Sequence, residues 1–197
     1  MNWVRIRKDS IKINGTTLPT NHCGMEMLKE VYKQLIGGYP KFFKMDALCR
    51  LGFIASELLL QQESPRITDT ERRAVILFNR SSSLCDDRSY QTTIQDTEKF
   101  FPSPAVFVYT LPNIVTGEIS IRNKYYGETL FCVLDKFNAN EIFQVVKESF
   151  LDSMTNDVIT GWVDCESDDD FEASMILVGP NDPDFNPDFI NEIYKHN

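Results

Sequence analysis

The sequence predicts an α/β protein built on a mixed, mostly parallel sheet of five strands with helices on both faces. Three observations carry that prediction. Residues 74–78 and 129–134 are short apolar runs without alternation, the pattern of strands buried on both sides. Stretches of helical periodicity separate these runs, and strand–helix alternation favours parallel neighbours. The apolar segments 158–165 and 172–178 are joined by a connection too short for a crossover, which predicts an antiparallel hairpin at one edge.

Trp3, Arg5 and Arg7 alternate with Val4 and Ile6, and Ile11 and Ile13 continue the period of two before the turn signal Asn14-Gly15. This reads as a strand pair or one long bent strand. Residues 16–40 are irregular, with a helix near 25–35 that stops at Gly37-Gly38. Between 44 and 62 a broad apolar face formed by Met45, Leu48, Leu51, Ala55, Leu58 and Leu59 predicts a helix, and Ser64-Pro65 closes it. Residues 87–99 are polar and partly helical. Pro102 and Pro104 mark a helix start, and Pro112 begins a second helix with Asn113 near its N-cap. Asn138 or Asn140 can cap a helix running to about 154. Its residues Ile142, Phe143, Val145, Val146 and Phe150 suit packing on a sheet. The Pro-, Asp- and Asn-rich tail ends in a short helix over 189–196. No internal repeat or low-complexity linker interrupts the chain, so residues 1–197 read as one domain.

Composition excludes several classes. The net charge is −9, which disfavours a phosphate backbone, so nucleic acid is not an expected partner. No apolar run approaches the ~20 residues of a membrane helix. The N-terminus alternates charge and apolarity without a signal-peptide core, so a cytoplasmic, non-membrane protein is expected. The five cysteines are odd in number and widely spaced, with no C-x-x-C pair. Each is read as a small buried hydrophobe, with neither a disulfide framework nor a zinc site, and no cofactor or metal is expected. The acidic run at 164–170 lacks the spacing of a calcium loop and reads as a solvated turn between two strands. Only His22 and His196 could supply an imidazole base.

The segment Phe101-Pro102-Ser103-Pro104-Ala105-Val106-Phe107, then Leu111-Pro112-Asn113-Ile114-Val115-Thr116-Gly117-Glu118-Ile119-Ser120-Ile121-Arg122, resembles the beta-ketoacyl synthases. In that family a P-N-x-x-x-G-x-I-A-I helix precedes a G-P-x-x-T-V-x-T-A-C strand and turn. Tyr126-Gly127-Glu128-Thr129-Leu130-Phe131-Cys132-Val133-Leu134 occupies the place of that strand. The resemblance spans about residues 40–178 and implies the N-terminal half of a thiolase-like fold. Pro112, Asn113, Gly117 and Gly127 are its motif positions. Counted without gaps from Gly127, the family's nucleophilic cysteine falls on Lys136, flanked by Asp135 and Phe137. The family's small residues let the chain turn at a helix N-terminus, where the dipole and backbone N–H groups activate the thiol and hold an oxyanion. Lys136 cannot form a thioester, and the Asp135-Lys136-Phe137 sequence fills space an acyl chain would need. The family's catalytic histidines belong to a C-terminal half without counterpart here, and neither His22 nor His196 matches a motif position.

The resemblance therefore implies a non-catalytic accessory subunit, similar to a chain-length factor in fatty-acid, polyketide or aryl-polyene-like biosynthesis. It implies a homodimer, or a heterodimer with a ketosynthase, with 129–134 as the interface strand. One alternative is an acyl-transfer or thioester-hydrolysing enzyme using another thiol. Cys85 follows a strand end, but the adjacent Asp86 and Asp87 would raise its pKa. Cys132 lies within a strand and reads as structural, and Lys136 beside Asp135 reads as ion-paired rather than as a Schiff-base lysine. The remaining alternative is a module that binds acyl chains or an acyl carrier protein, with Arg5, Arg7 and Lys8 as its basic docking patch.

Overall fold

The computed structural model describes residues 1–65, 70–98, 100–151 and 153–195. The chain opens with β1 (Asn2–Arg7), β2 (Ser10–Ile13) and β3 (Thr16–Leu18), joined by turns of two residues that leave no room for a crossover. Then come α1 (Gly24–Val31), α2 (Ala47–Leu60), β4 (Arg73–Asn79), α3 (Leu84–Ile94), α4 (Pro104–Phe107) and α5 (Ile114–Asn123). The remainder is β5 (Thr129–Val133), α6 (Ala139–Glu148), β6 (Asp157–Ser167), β7 (Asp170–Val178) and α7 (Pro187–Lys195). His196 and Lys99, which the sequence places at helix ends, lie outside the described residues.

Among the described residues the seven strands form one mixed sheet in the order β3-β2-β1-β7-β6-β4-β5. This corrects the expected five-stranded, mostly parallel sheet. Only β4–β5 and β4–β6 pair in parallel; β1–β2, β2–β3, β1–β7 and β6–β7 are antiparallel. The crossover helices enforce parallel pairing where they occur, but the N-terminal meander has none and adds its three strands through β7.

Helices cover both faces, as expected. Strand alternation sorts the core into two layers. Val75, Leu77, Ile159 and Val163 pack with α1, α2 and α5, while Ala74, Ile76, Phe78, Val158 and Trp162 pack with α6 and α7. The helix α2 is buried around nearly its whole circumference. Its N-cap Asp46 accepts from the Leu48 and Cys49 N–H groups, each at 3.2 Å, worth about 1 kcal/mol.

At the amino end of the parallel strands, Arg73 is fully buried. It pairs with Glu63 at 2.6 Å and with Asp157, and it donates to the Tyr125 hydroxyl at 3.1 Å. Burial alone would lower its pKa, but the bonds to Glu63 and Asp157 outweigh that and raise it. This network ties the end of α2, the segment before β5 and the start of β6 to the central strand. The opposite end of the sheet is where the chain leaves space.

Candidate functional site

Two antiparallel steps, β6 to β7 and β7 to β1, make β1 run in the same direction as β4, β5 and β6. The carboxyl ends of these four strands meet at one rim, the usual place for a site in an α/β sheet. The rim carries Arg7 at the end of β1 and Lys8 after it, Arg80 to Ser83 after β4, Lys136 and Phe137 after β5, and Asp164 to Ser167 of β6. A cavity of about 270 Å³ opens between Arg80, Lys136, Phe137, Trp162 and Asp164. A second, of about 880 Å³, lies beside it toward β1 and β2. The two share Asp170, Phe171, Glu172 and Tyr194 as their dividing ridge.

Aromatic packing closes the position after β5. The Phe137 ring stacks on Tyr194 with centroids 3.7 Å apart and meets Trp162 edge-on at 5.6 Å. Glu172 fixes the other two rings, accepting from Trp162 Nε1 at 3.1 Å and from the Tyr194 hydroxyl at 2.9 Å. Its second oxygen pairs with Arg7 at 3.2 Å. Burial and the Glu172 charge push the Tyr194 hydroxyl up to about 12, so it remains a donor. Just past Phe137, the Asn138 side chain caps α6. It accepts from the Asn140 N–H at 3.1 Å and the Glu141 N–H at 3.3 Å. Those are the amides a helix N-terminus would otherwise offer to an oxyanion.

Lys136 and Asp135 are both exposed, and among the described residues no ion pair joins them, which corrects the expected pairing. Phe137 is half-buried against Trp162 and Tyr194. Asn113 stands at the N-cap position of α5 but makes no side-chain cap bond, and Gly117 lies mid-helix facing open space. Gly127 is at the other end of β5 from Lys136, pressed against the Arg73 backbone. The motif residues are thus spread over the fold, with the Lys136 segment at the rim and Gly127 at the opposite end of the sheet.

Cys132 lies within β5, as expected, and burial followed by the Glu141 charge raises its thiol pKa. Burial and Asp86 likewise raise Cys85, which disfavours a thiolate there. All five cysteines are free. Only Cys49 and Cys165 are fully buried; Cys85 and Cys132 are half-buried and Cys23 is exposed, which corrects the uniform expectation. His22 Nδ1 lies 2.9 Å from Glu30, which ties down the loop before α1. Among the described residues, no helix is long and apolar enough to cross a membrane.

Several rim residues escaped the sequence reading. Asp164, expected in a solvated turn, is a buried strand residue that accepts from the Arg80 and Ser81 N–H groups at 3.3 and 2.9 Å. Glu172 and Tyr194 meet only through tertiary structure. A charge that alternates with apolar residues inside a strand, as at Arg5, Arg7 and Asp164, was the available signal.

No protein-family model matches this sequence, and no curated protein matches it significantly. Solved structures do share its fold. One is the ishigamide ketosynthase/chain length factor, with a TM-score of 0.64 at 16% identity, covering 76% of this chain and 47% of that one. Another is the ketosynthase ApeO in complex with its chain length factor ApeC from Xenorhabdus doucetiae, with a TM-score of 0.59 at 14% identity, covering 91% of this chain and 77% of that one. The chain spans about half the length of the first of these. The chain shares its fold with these ketosynthase and chain-length-factor structures.

Proposed function

We propose that this chain is a non-catalytic, chain-length-factor-like subunit that pairs with a ketosynthase in polyketide or aryl-polyene-type synthesis. One observation carries the reading. At the rim position where the resemblance puts a nucleophile, the chain has the exposed amine of Lys136. The adjoining space is occupied by the Phe137–Tyr194 stack, and the following helix amides are bound by Asn138. A thiol, an acyl slot and an oxyanion hole are each replaced by something else. The two half-buried thiols nearest the rim ends of their elements, Cys85 and Cys132, have raised pKa values and make poor nucleophiles. The two similar structures are a ketosynthase/chain length factor and a ketosynthase in complex with its chain length factor, which supports a paired assembly.

The test is reconstitution. The chain is co-expressed with a full-length ketosynthase from the same genome, and products are read by mass spectrometry. The chain alone is expected to release no condensed product, Lys136→Cys is expected to restore none, and the pair is expected to co-elute and set product length. Condensation or thioester hydrolysis by the chain alone, abolished by Cys85→Ala or Cys132→Ala, would overturn the proposal.

A further inference from the structure

The larger rim cavity holds a cation without a counter-charge. Arg5 is only 4% exposed yet lines this cavity of about 880 Å³. Among the described residues the single hydrogen bond of its side chain is from Nη1 to the Ile193 carbonyl, at 3.4 Å, and it makes no ion pair. A guanidinium has five N–H donors, so most of its capacity is unused. Burying an unpaired charge is costly, and burial together with the neighbouring Arg7 charge pulls this guanidinium down. The Ser174 hydroxyl, cross-strand from Arg5 and therefore on the same face of the sheet, is also buried without a partner.

The lining carries a slight excess of positive charge although the chain is acidic. Lys12 pairs in register with Arg5 on β2, and Lys195 also lines the cavity. Two of the nearby carboxylates are already engaged: Asp169 holds Lys8 at 2.9 Å, and Glu172 holds Arg7 at 3.2 Å. Asp9 and Asp170 also line the cavity, which favours a ligand whose charge is compact and seated at Arg5 rather than spread across the mouth. The volume suits a small molecule, and a guanidinium fork matches the paired oxygens of a phosphate.

We propose that this cavity binds a phosphate group, the anionic end of a small phosphorylated molecule, with Arg5 as its anchor and Lys195 adding to its charge. The site is separate from the Lys136 position and does not depend on pairing with a ketosynthase.

The full chain is titrated with inorganic phosphate at constant ionic strength, followed by phosphorus-31 line broadening and by thermal shift, with acetate as the carboxylate control. Saturable phosphate binding is expected, with acetate much weaker. Arg5→Lys keeps the charge but loses the fork, and is expected to weaken binding about tenfold, one lost charge-assisted contact. Lys195→Gln, an exposed change that leaves the fold intact, is expected to weaken it less. Absence of saturable phosphate binding to the unaltered chain would overturn the proposal, as would equal binding of acetate or undiminished binding by a folded Arg5→Lys variant.

Discussion

In the first turn of α3, Asp86 is buried beside the Asp46 carboxyl, with one carboxyl oxygen lacking any partner. Burial and then the neighbouring Asp46 carboxyl push it from 3.8 up to about 9. The sign follows from linkage: between those values the folded chain holds a proton that the unfolded chain has released, so stability falls as pH rises through the window. Asp86→Asn keeps a donor toward Asp46 at every pH. Denaturant titrations across that window are expected to show the variant gaining on the unaltered chain as pH increases; parallel curves would contradict this. Two glycines of the resemblance motif separate just as clearly. A Cβ at Gly117 meets nothing within 4 Å, so Gly117→Ala in the middle of α5 is expected to stabilise by about 0.5–1 kcal/mol. A Cβ at Gly127 would overlap the Arg73 carbonyl, so Gly127→Ala is expected to destabilise by about 1–3 kcal/mol. Thermal melts of the two variants should therefore move in opposite directions. The motif marks one residue the fold needs and one it does not.

Among the elements, β4 organises the rest, and Arg73 at its first position joins it to Glu63, Tyr125 and Asp157. Arg73→Met leaves two carboxylates buried without their cation and is expected to cost about 3–5 kcal/mol. Arg72→Met, one residue earlier, removes only bonds to the carbonyls of Ser153 and Met154 at an exposed site and should cost far less. Urea unfolding of the pair checks the contrast. These elements also show what was legible in the sequence. The β4 run could be read because burial on both faces demands an unbroken apolar stretch, and α2 because its broad face repeats every turn. Lys136 could be placed at a rim by counting from Gly127. The three-residue β3 could not be read, since Thr16 and Thr17 are exposed and give no periodic signal. The direction of β1 could not be read either: it depends on pairing with β7, some 170 positions away in sequence. For the same reason the Phe137–Trp162–Tyr194 cluster and the Arg5 cavity were invisible, because the last helix supplies one wall of each.

Considered as a whole molecule, the sheet has two edges treated in opposite ways. The β3 edge is three residues long, carries exposed threonines and is followed by Pro19, features that discourage another strand from pairing. The β5 edge, Thr-Leu-Phe-Cys-Val, has no charge and no proline; it is bonded only to β4, with Leu130 37% and Val133 50% exposed. Apolar residues elsewhere on the surface, Tyr126 just before β5 among them, are also open. An unguarded apolar edge is a docking surface or an aggregation hazard, and the proposed pairing with a ketosynthase makes use of it. Val133→Lys places a charge on that edge without entering either core layer. The variant is expected to retain its circular dichroism and melting temperature. In size-exclusion chromatography with light scattering it is expected to elute apart from a co-expressed ketosynthase that the unaltered chain accompanies. A Val133→Lys chain that still co-elutes would move the interface away from β5; loss of folding in that variant would instead show that the strand is held in place by something other than its partner.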